Sequence, residues 1–176
     1  MDETTQAPSV ILAQFGYGPW TGEPDEVIWI DEATGLECQI HRQKWNGSLC
    51  GYVVVPEGHV LHNKDYTTEI PELAELLSAR LDKPMPAQPG LGLMLGALTG
   101  HLSPRMDHVL EVHGGITFSG TFRDDASKRW IVGFDCNHCD DGSPQDPDHG
   151  CYRDMEYVRG ECARLAEQIA AIAKEG

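Results

Sequence analysis

Leu36-Glu37-Cys38-Gln39-Ile40-His41-Arg42-Gln43-Lys44-Trp45-Asn46-Gly47-Ser48-Leu49-Cys50-Gly51-Tyr52-Val53-Val54-Val55 decides the fold. Two alternating, β-rich runs flank Asn46-Gly47, a dipeptide that suits a two-residue hairpin loop. In that register Trp45 opposes Ser48, Gln43 opposes Cys50 and Cys38 opposes Val55. Side chains alternate along each strand, so Cys38, Ile40, Val53 and Val55 share one face. Cys50 falls on the other with His41, Gln43 and Tyr52, which makes a Cys38–Cys50 disulfide geometrically unfavourable. Upstream, Glu26 to Asp31 is β-rich and is followed by the turn Glu32-Ala33-Thr34-Gly35, so the three runs read as an antiparallel meander.

The other decisive stretch is at the far end. From Tyr152 to Ala173 the apolar residues Met155, Val158, Cys162, Leu165, Ile169 and Ile172 repeat on one helical face. Glu156, Arg159, Arg164 and Glu167 point mostly outward. Residues 10–176 are therefore expected to form a single α+β domain, an antiparallel sheet packed against a long C-terminal helix, with residues 1–9 a flexible tail. Between these ends, Ile70, Leu73, Leu77 and Leu81 fall at helical spacing after Thr68 as cap, with Pro71 tolerated in the first turn. Gly90 to Leu98 reads as a short buried helix whose glycines serve packing, since no phosphate-loop GK[ST] follows. Val109 to Phe118 reads as a strand bent at Gly114-Gly115, and Trp130 to Cys136 as its partner across a charged hairpin, Arg123 to Lys128.

The 176 residues carry 13 Lys+Arg against 28 Asp+Glu, a formal net charge of -15. Such a surface repels phosphate backbones and anionic membranes, so direct nucleic-acid binding is disfavoured and a partner with a basic surface fits better. Met1 to Pro8 lacks the basic start and apolar core of a signal peptide. Leu91 to Leu98 is too short to span a membrane. A cytoplasmic location follows, and the six cysteines are then expected as thiols or metal ligands.

Polar chemistry gathers at two strand ends. In Glu111-Val112-His113-Gly114-Gly115, alternation puts Glu111 and His113 on one face, and the glycines allow close approach beside the imidazole. In Gly133-Phe134-Asp135-Cys136-Asn137-His138-Cys139-Asp140-Asp141, Asp135 ends a strand while His138 and Asp141 follow in an acidic loop. His113, Asp135, His138 and Asp141 together offer nitrogen and oxygen ligands for a divalent ion such as zinc or manganese. A bound ion lowers the pKa of its water, and an uncoordinated carboxylate, Asp135 or Glu111, then serves as base. His113 is thus a candidate for both metal binding and catalysis; in a plainer reading it only braces a bulge, as His138 and Asp141 would brace the loop.

Three other readings stay open. Cys136, Cys139, His149 and Cys151 offer a sulfur-rich structural zinc site built on a single CxxC. Cys136 or Cys139 beside His113 or His138 would form a thiol–imidazole pair, although the surrounding acids oppose a thiolate. His59 and His62 lie on a separate loop expected to close on this site, their i,i+3 spacing putting them on one side if the loop turns helically, with His59 as a substrate contact. Tyr152 and Arg153 open the last helix, where they would contact a ligand at its positive end, Arg153 as an anion contact.

The segments Glu111 to Phe118, Trp130 to His138, Asp141 and Tyr152-Arg153-Asp154 with Tyr157-Val158 and Glu161 resemble a group of small uncharacterised proteins encoded by bacteriophages and prophages. Gly51-Tyr52-Val53 and His59 belong to the same pattern, which covers roughly residues 45–170. The resemblance implies a phage accessory protein, and Cys139 is not part of its pattern. Two function classes compete by that analogy. One is a metal-dependent hydrolase of a nucleotide or other small phosphorylated molecule, with His113, Asp135, His138 and Asp141 converging in one pocket. The other is a non-catalytic acidic inhibitor of a host defence protein, contacting it through exposed acids or the Phe15–Thr21 loop.

Overall fold

The chain is described here by a computed structural model over residues 9–86, 89–123 and 126–172. The expected tail lies almost wholly outside the described residues, as do Asp124 and Asp125 of the charged hairpin and the last residue of the expected C-terminal helix.

Five antiparallel strands form the main sheet: β1 Glu26–Ile30, β2 Glu37–Arg42, β3 Leu49–Val54, β4 Phe118–Gly120 and β5 Ile131–Asp135, in the order β1-β2-β3-β5-β4. The meander stands as expected, but its register is shifted. Cys38 pairs with Val53 and His41 with Cys50, two residues from the register of a tight Asn-Gly turn. A two-residue type I′ turn needs positive φ at both central residues. Here Gly47 has φ +79° and Asn46 stays negative, so the loop closes as a wider turn, with Gly47 N–H donating to Gln43 O at 2.9 Å. Because the shift is an even number of residues, each side chain keeps its face. Cys38, Ile40, Val53 and Val55 are all buried in the core.

Helix α4, Met155–Ile172, lies across that face. Val158, Cys162, Leu165, Ala166 and Ile169 are fully buried against the sheet. Close approach is allowed by Gly51 of β3: a Cβ there would sit 2.5 Å from the Phe134 ring and 2.6 Å from Cys162 Sγ. At the edge strand, Arg159 stacks 4.4 Å over Trp29. The helix starts at Met155, three residues later than expected, because Cys151–Tyr152 forms a short strand, β7, parallel to β6, Asp141–Gly142. The acidic loop is thus a folded unit, tied to the hairpin by Asn46 Nδ2, which donates to Asn137 Oδ1 at 2.8 Å.

Three smaller helices complete the fold: α1 Ala74–Leu81, entered through a single 3₁₀ turn at Pro71–Leu73, α2 Leu91–Thr99 and α3 Met106–Val109. Helix α2 is where the sequence places it but is not buried, since Leu91, Leu95 and Leu98 are at least half exposed. Its glycines do serve packing, because a Cβ at Gly92 would collide with the Asp107 carboxylate of α3.

The expected strand from Val109 to Phe118 is corrected. Val109 ends α3, residues 110–117 are irregular, and the strand begins at Phe118. Alternation fails here because Val109, Leu110, Val112, His113 and Ile116 are all buried, leaving no solvent face to set a period of two. Gly114 and Gly115, at φ +64° and +85°, also turn the chain out of extended geometry. Side chains of α4 replace a strand partner. Gln168 accepts from Glu111 N–H at 2.8 Å and donates to Glu111 O at 2.9 Å, while Glu161 Oε2 accepts from His113 N–H at 2.7 Å.

Replacing Gly51 by Val forces α4 away from β3. The expected cost is about 1–3 kcal/mol, read as a lower denaturation midpoint in urea with the slope unchanged.

Candidate metal centre

Asp141 is the hub of the site. Its carboxylate is 1% exposed and faces three cationic or ionisable partners. Oδ2 lies 2.8 Å from His113 Nε2 and 3.2 Å from His138 Nδ1, and Oδ1 accepts from Arg153 Nε at 3.0 Å. The His138 backbone N–H also donates to Oδ2, at 3.0 Å. Strand β6 fixes Asp141, the turn just before it carries His138, and the irregular segment on α4 carries His113.

Each ligand atom of this trio lies within 4.8 Å of the other two. The donor set, two imidazoles and one carboxylate, is the kind that holds zinc with a fourth position left for water. In a tetrahedral site with ~2.1 Å bonds, ligand atoms sit about 3.4 Å apart. The separations to Asp141 Oδ2, 2.8 and 3.2 Å, are hydrogen-bond distances that would widen by a few tenths of an ångström to admit an ion. The surroundings match a metal site too, since ligating imidazoles and carboxylates are normally held by further hydrogen bonds. His113 Nδ1 is 2.9 Å from the Tyr157 hydroxyl, and Arg153 holds the second oxygen of Asp141. Arg153 also lies 5.0 Å over the Tyr157 ring.

The HGG motif has a steric reason. A Cβ on Gly114 would come within 1.9 Å of the His138 ring, and one on Gly115 within 2.6 Å of Gly90 Cα. Gly114 is the space into which His138 fits.

Charge follows the geometry. Burial alone would raise the Asp141 pKa, but hydrogen bonds from His113, His138 and Arg153 reverse that and hold the carboxyl well below its ordinary range. The His138 pKa is raised, first by its bond to Asp141, against burial, with Asp135 adding to the rise. Burial pushes the Tyr157 phenol up, and Glu161 adds to this.

The structure brings together His113, His138, Asp141 and Arg153 and leaves the other sequence candidates elsewhere. Asp135 lies on the opposite face of β5 from Phe134 and Cys136, opposite Cys50, and its Oδ1 accepts from Asn137 N–H at 3.1 Å. Glu111 turns to Arg80 and Lys83, at 3.4 and 3.6 Å, because its segment does not alternate as a strand. Tyr152 points into a network that holds the start of α4: its hydroxyl donates to Glu23, which also accepts from Arg42 and from Met155 N–H. His59 braces the other end of α4, 3.0 Å from Ile169 O, about three turns beyond Tyr157.

Among the described residues, the trio is the one group of His, Cys, Asp or Glu within metal-holding reach. Cys136 is packed in the core and its thiol is pushed up by burial, whereas Cys139 and Cys151 are exposed. That arrangement separates the sulfur-rich ligand set and opposes a Cys136 thiolate. Sequence reasoning missed Tyr157 and Glu161. Both were within the resemblance, but their polar positions on a mostly buried helix gave no role until the irregular segment was seen against them.

Comparison with protein-family models, curated proteins and solved structures gives no match. No helix among the described residues is long and apolar enough to cross a membrane.

Gly114→Ala is expected to displace the His138 ring. Zinc affinity should fall by at least tenfold, on the order of the 10–100-fold typical for disturbed ligand support, while the far-UV circular dichroism is retained. Unchanged zinc affinity would show that His138 does not need this space.

Proposed function

We propose that the chain is a metal-dependent hydrolase of phage or prophage origin that acts on a nucleotide or another small phosphorylated molecule. The observation that carries this reading is the convergence of His113, His138 and Asp141 around one carboxylate oxygen. Support for the accessory-protein setting comes from the sequence resemblance alone. A divalent ion there would supply Lewis acidity and a water of lowered pKa. Tyr157 orients His113 through Nδ1, and Arg153 keeps Asp141 ionised and fixed. Asp135, on the opposite face of β5, is not placed to act as the base and influences the site only through its field at His138. Burial of His113 and Asp141, both 1% exposed in their side chains, keeps bulk water from competing for them, while His138, one-third exposed, marks the open side.

The acidic-inhibitor reading draws on the charge of -15. It asks for no gathered ligand set, so the trio favours the hydrolase.

Elemental analysis of the native protein is expected to give about one zinc or manganese per chain, lost in His113→Ala and His138→Ala and kept in Cys139→Ser. Metal kept by both histidine variants would sink the reading. With the metal present, hydrolysis of p-nitrophenyl phosphate or a nucleoside triphosphate should be abolished by chelator and by His138→Ala.

Metal affinity should also rise with pH. His138 must be neutral to bind, and its pKa is raised above the ordinary 6.5, so affinity climbs through and above that value. In metal-free protein the sign is opposite. The raised His138 contributes stability that is complete below 6.5 and is lost as pH rises through its folded value. A melting temperature independent of pH across this window, with no change on His138→Ala, would contradict the assignment.

A further inference from the structure

In a chain with only 13 Lys+Arg, three cationic side chains line one cleft. Arg80 and Lys83, on and just after α1, and Arg164, on α4, border a cavity of about 430 Å³. The Glu111 carboxylate lies inside, 3.4 Å from Arg80 Nε and 3.6 Å from Lys83 Nζ. Arg80 is the unusual member. Its side chain is 6% exposed, and its buried Nε makes no hydrogen bond among the described residues. A buried guanidinium N–H that meets its carboxylate only as an ion pair, out of hydrogen-bond geometry, costs free energy, so a better-aligned acceptor there would be stabilising.

We propose that this cleft binds a phosphate or phosphomonoester dianion, which displaces the Glu111 side chain and takes the Arg80 Nε–H as donor. Charge selects the ligand class. Arg80 and Lys83 share the one carboxylate of Glu111, while Arg164 is paired with Glu161 and Glu167 also lines the cleft. Exchanging Glu111 for a dianion brings more negative charge to Arg80 and Lys83, and planar guanidinium forks suit phosphate oxygens. Glu111 can leave without unfolding its segment, because Gln168 and Arg164 hold its backbone and not its carboxylate.

The place fits the chemistry. A neighbouring cleft of about 170 Å³ shares Glu111 and Arg164 with this one and is also lined by His113 and Tyr157. A phosphorylated molecule held at Arg80 and Lys83 would therefore sit beside the segment that carries His113. As a substrate subsite this rests on the hydrolase reading; as an anion site it does not.

Calorimetric titration of the full chain with inorganic phosphate, in chelator and at constant ionic strength, tests it. Saturable one-to-one binding is expected, with acetate much weaker at matched ionic strength. Lys83→Ala, at a mostly exposed position, and Arg164→Ala should each weaken phosphate at least roughly threefold, and Glu111→Gln should tighten it by a similar factor. Circular dichroism checks that each variant is folded. Absence of saturable binding in both the native protein and Glu111→Gln overturns the proposal. So does equal binding of acetate, or phosphate binding indifferent to Lys83→Ala and Arg164→Ala. Phosphate binding that persists in chelator, while the native protein loaded with zinc or manganese shows no turnover of a phosphorylated substrate, keeps the anion site and removes the hydrolase.

Discussion

A buried carboxylate is costly unless its charge is met, and Asp141 meets that cost with His113, His138 and Arg153 at 2.8 to 3.2 Å. This constraint draws together parts of the chain that otherwise share no element. His113 comes from the irregular run after α3, His138 from the turn after β5, and Arg153 from the link between β7 and α4. Removing the carboxylate would leave a buried imidazole and a guanidinium without their shared acceptor. The local folding of the acidic loop follows from the same need: β6 and β7 pair side by side, so that Asp141 and Arg153 arrive on the same side of the start of α4.

Helix α4 carries this arrangement because it has two working faces. One is the apolar stripe from Val158 to Ile172, seated on β2 and β3 over Gly51. The other is polar and only partly enclosed, with Glu161 buried, Tyr157 and Gln168 half-buried and Arg164 exposed. Tyr157 holds the His113 ring, Glu161 its backbone, and Arg164 and Gln168 the backbone of Glu111. These residues are three or four apart, so one helical row spans the irregular segment. The segment needs no strand partner, and its glycines are free to bend the chain where His138 enters.

Much of the architecture was legible in the residues. The meander, the partner strand ending at Asp135 and the long amphipathic helix all follow from periodicity, and the even register shift at Asn46-Gly47 left every face intact. The site was legible by composition, since His113, His138, Asp141 and Arg153 were all singled out from where they stand. What sequence could not supply was direction. Glu111 and His113 were assigned a common face by alternation, and the fully buried run from Val109 to Ile116 gave no polar–apolar contrast to correct it. Asp135 obeyed alternation, and that is why it points away from the trio. The opposing charges of Arg80 and Glu111, far apart along the chain, carry no local pattern at all.

The central claim is that Asp141, His113 and His138 hold one metal ion, and X-ray absorption of the zinc-loaded protein tests it most directly. The account predicts a first shell of nitrogen and oxygen only, at about 2.0–2.1 Å, with the outer-shell scattering of two imidazoles. A sulfur contribution near ~2.3 Å would instead assign the ion to cysteine and contradict the account.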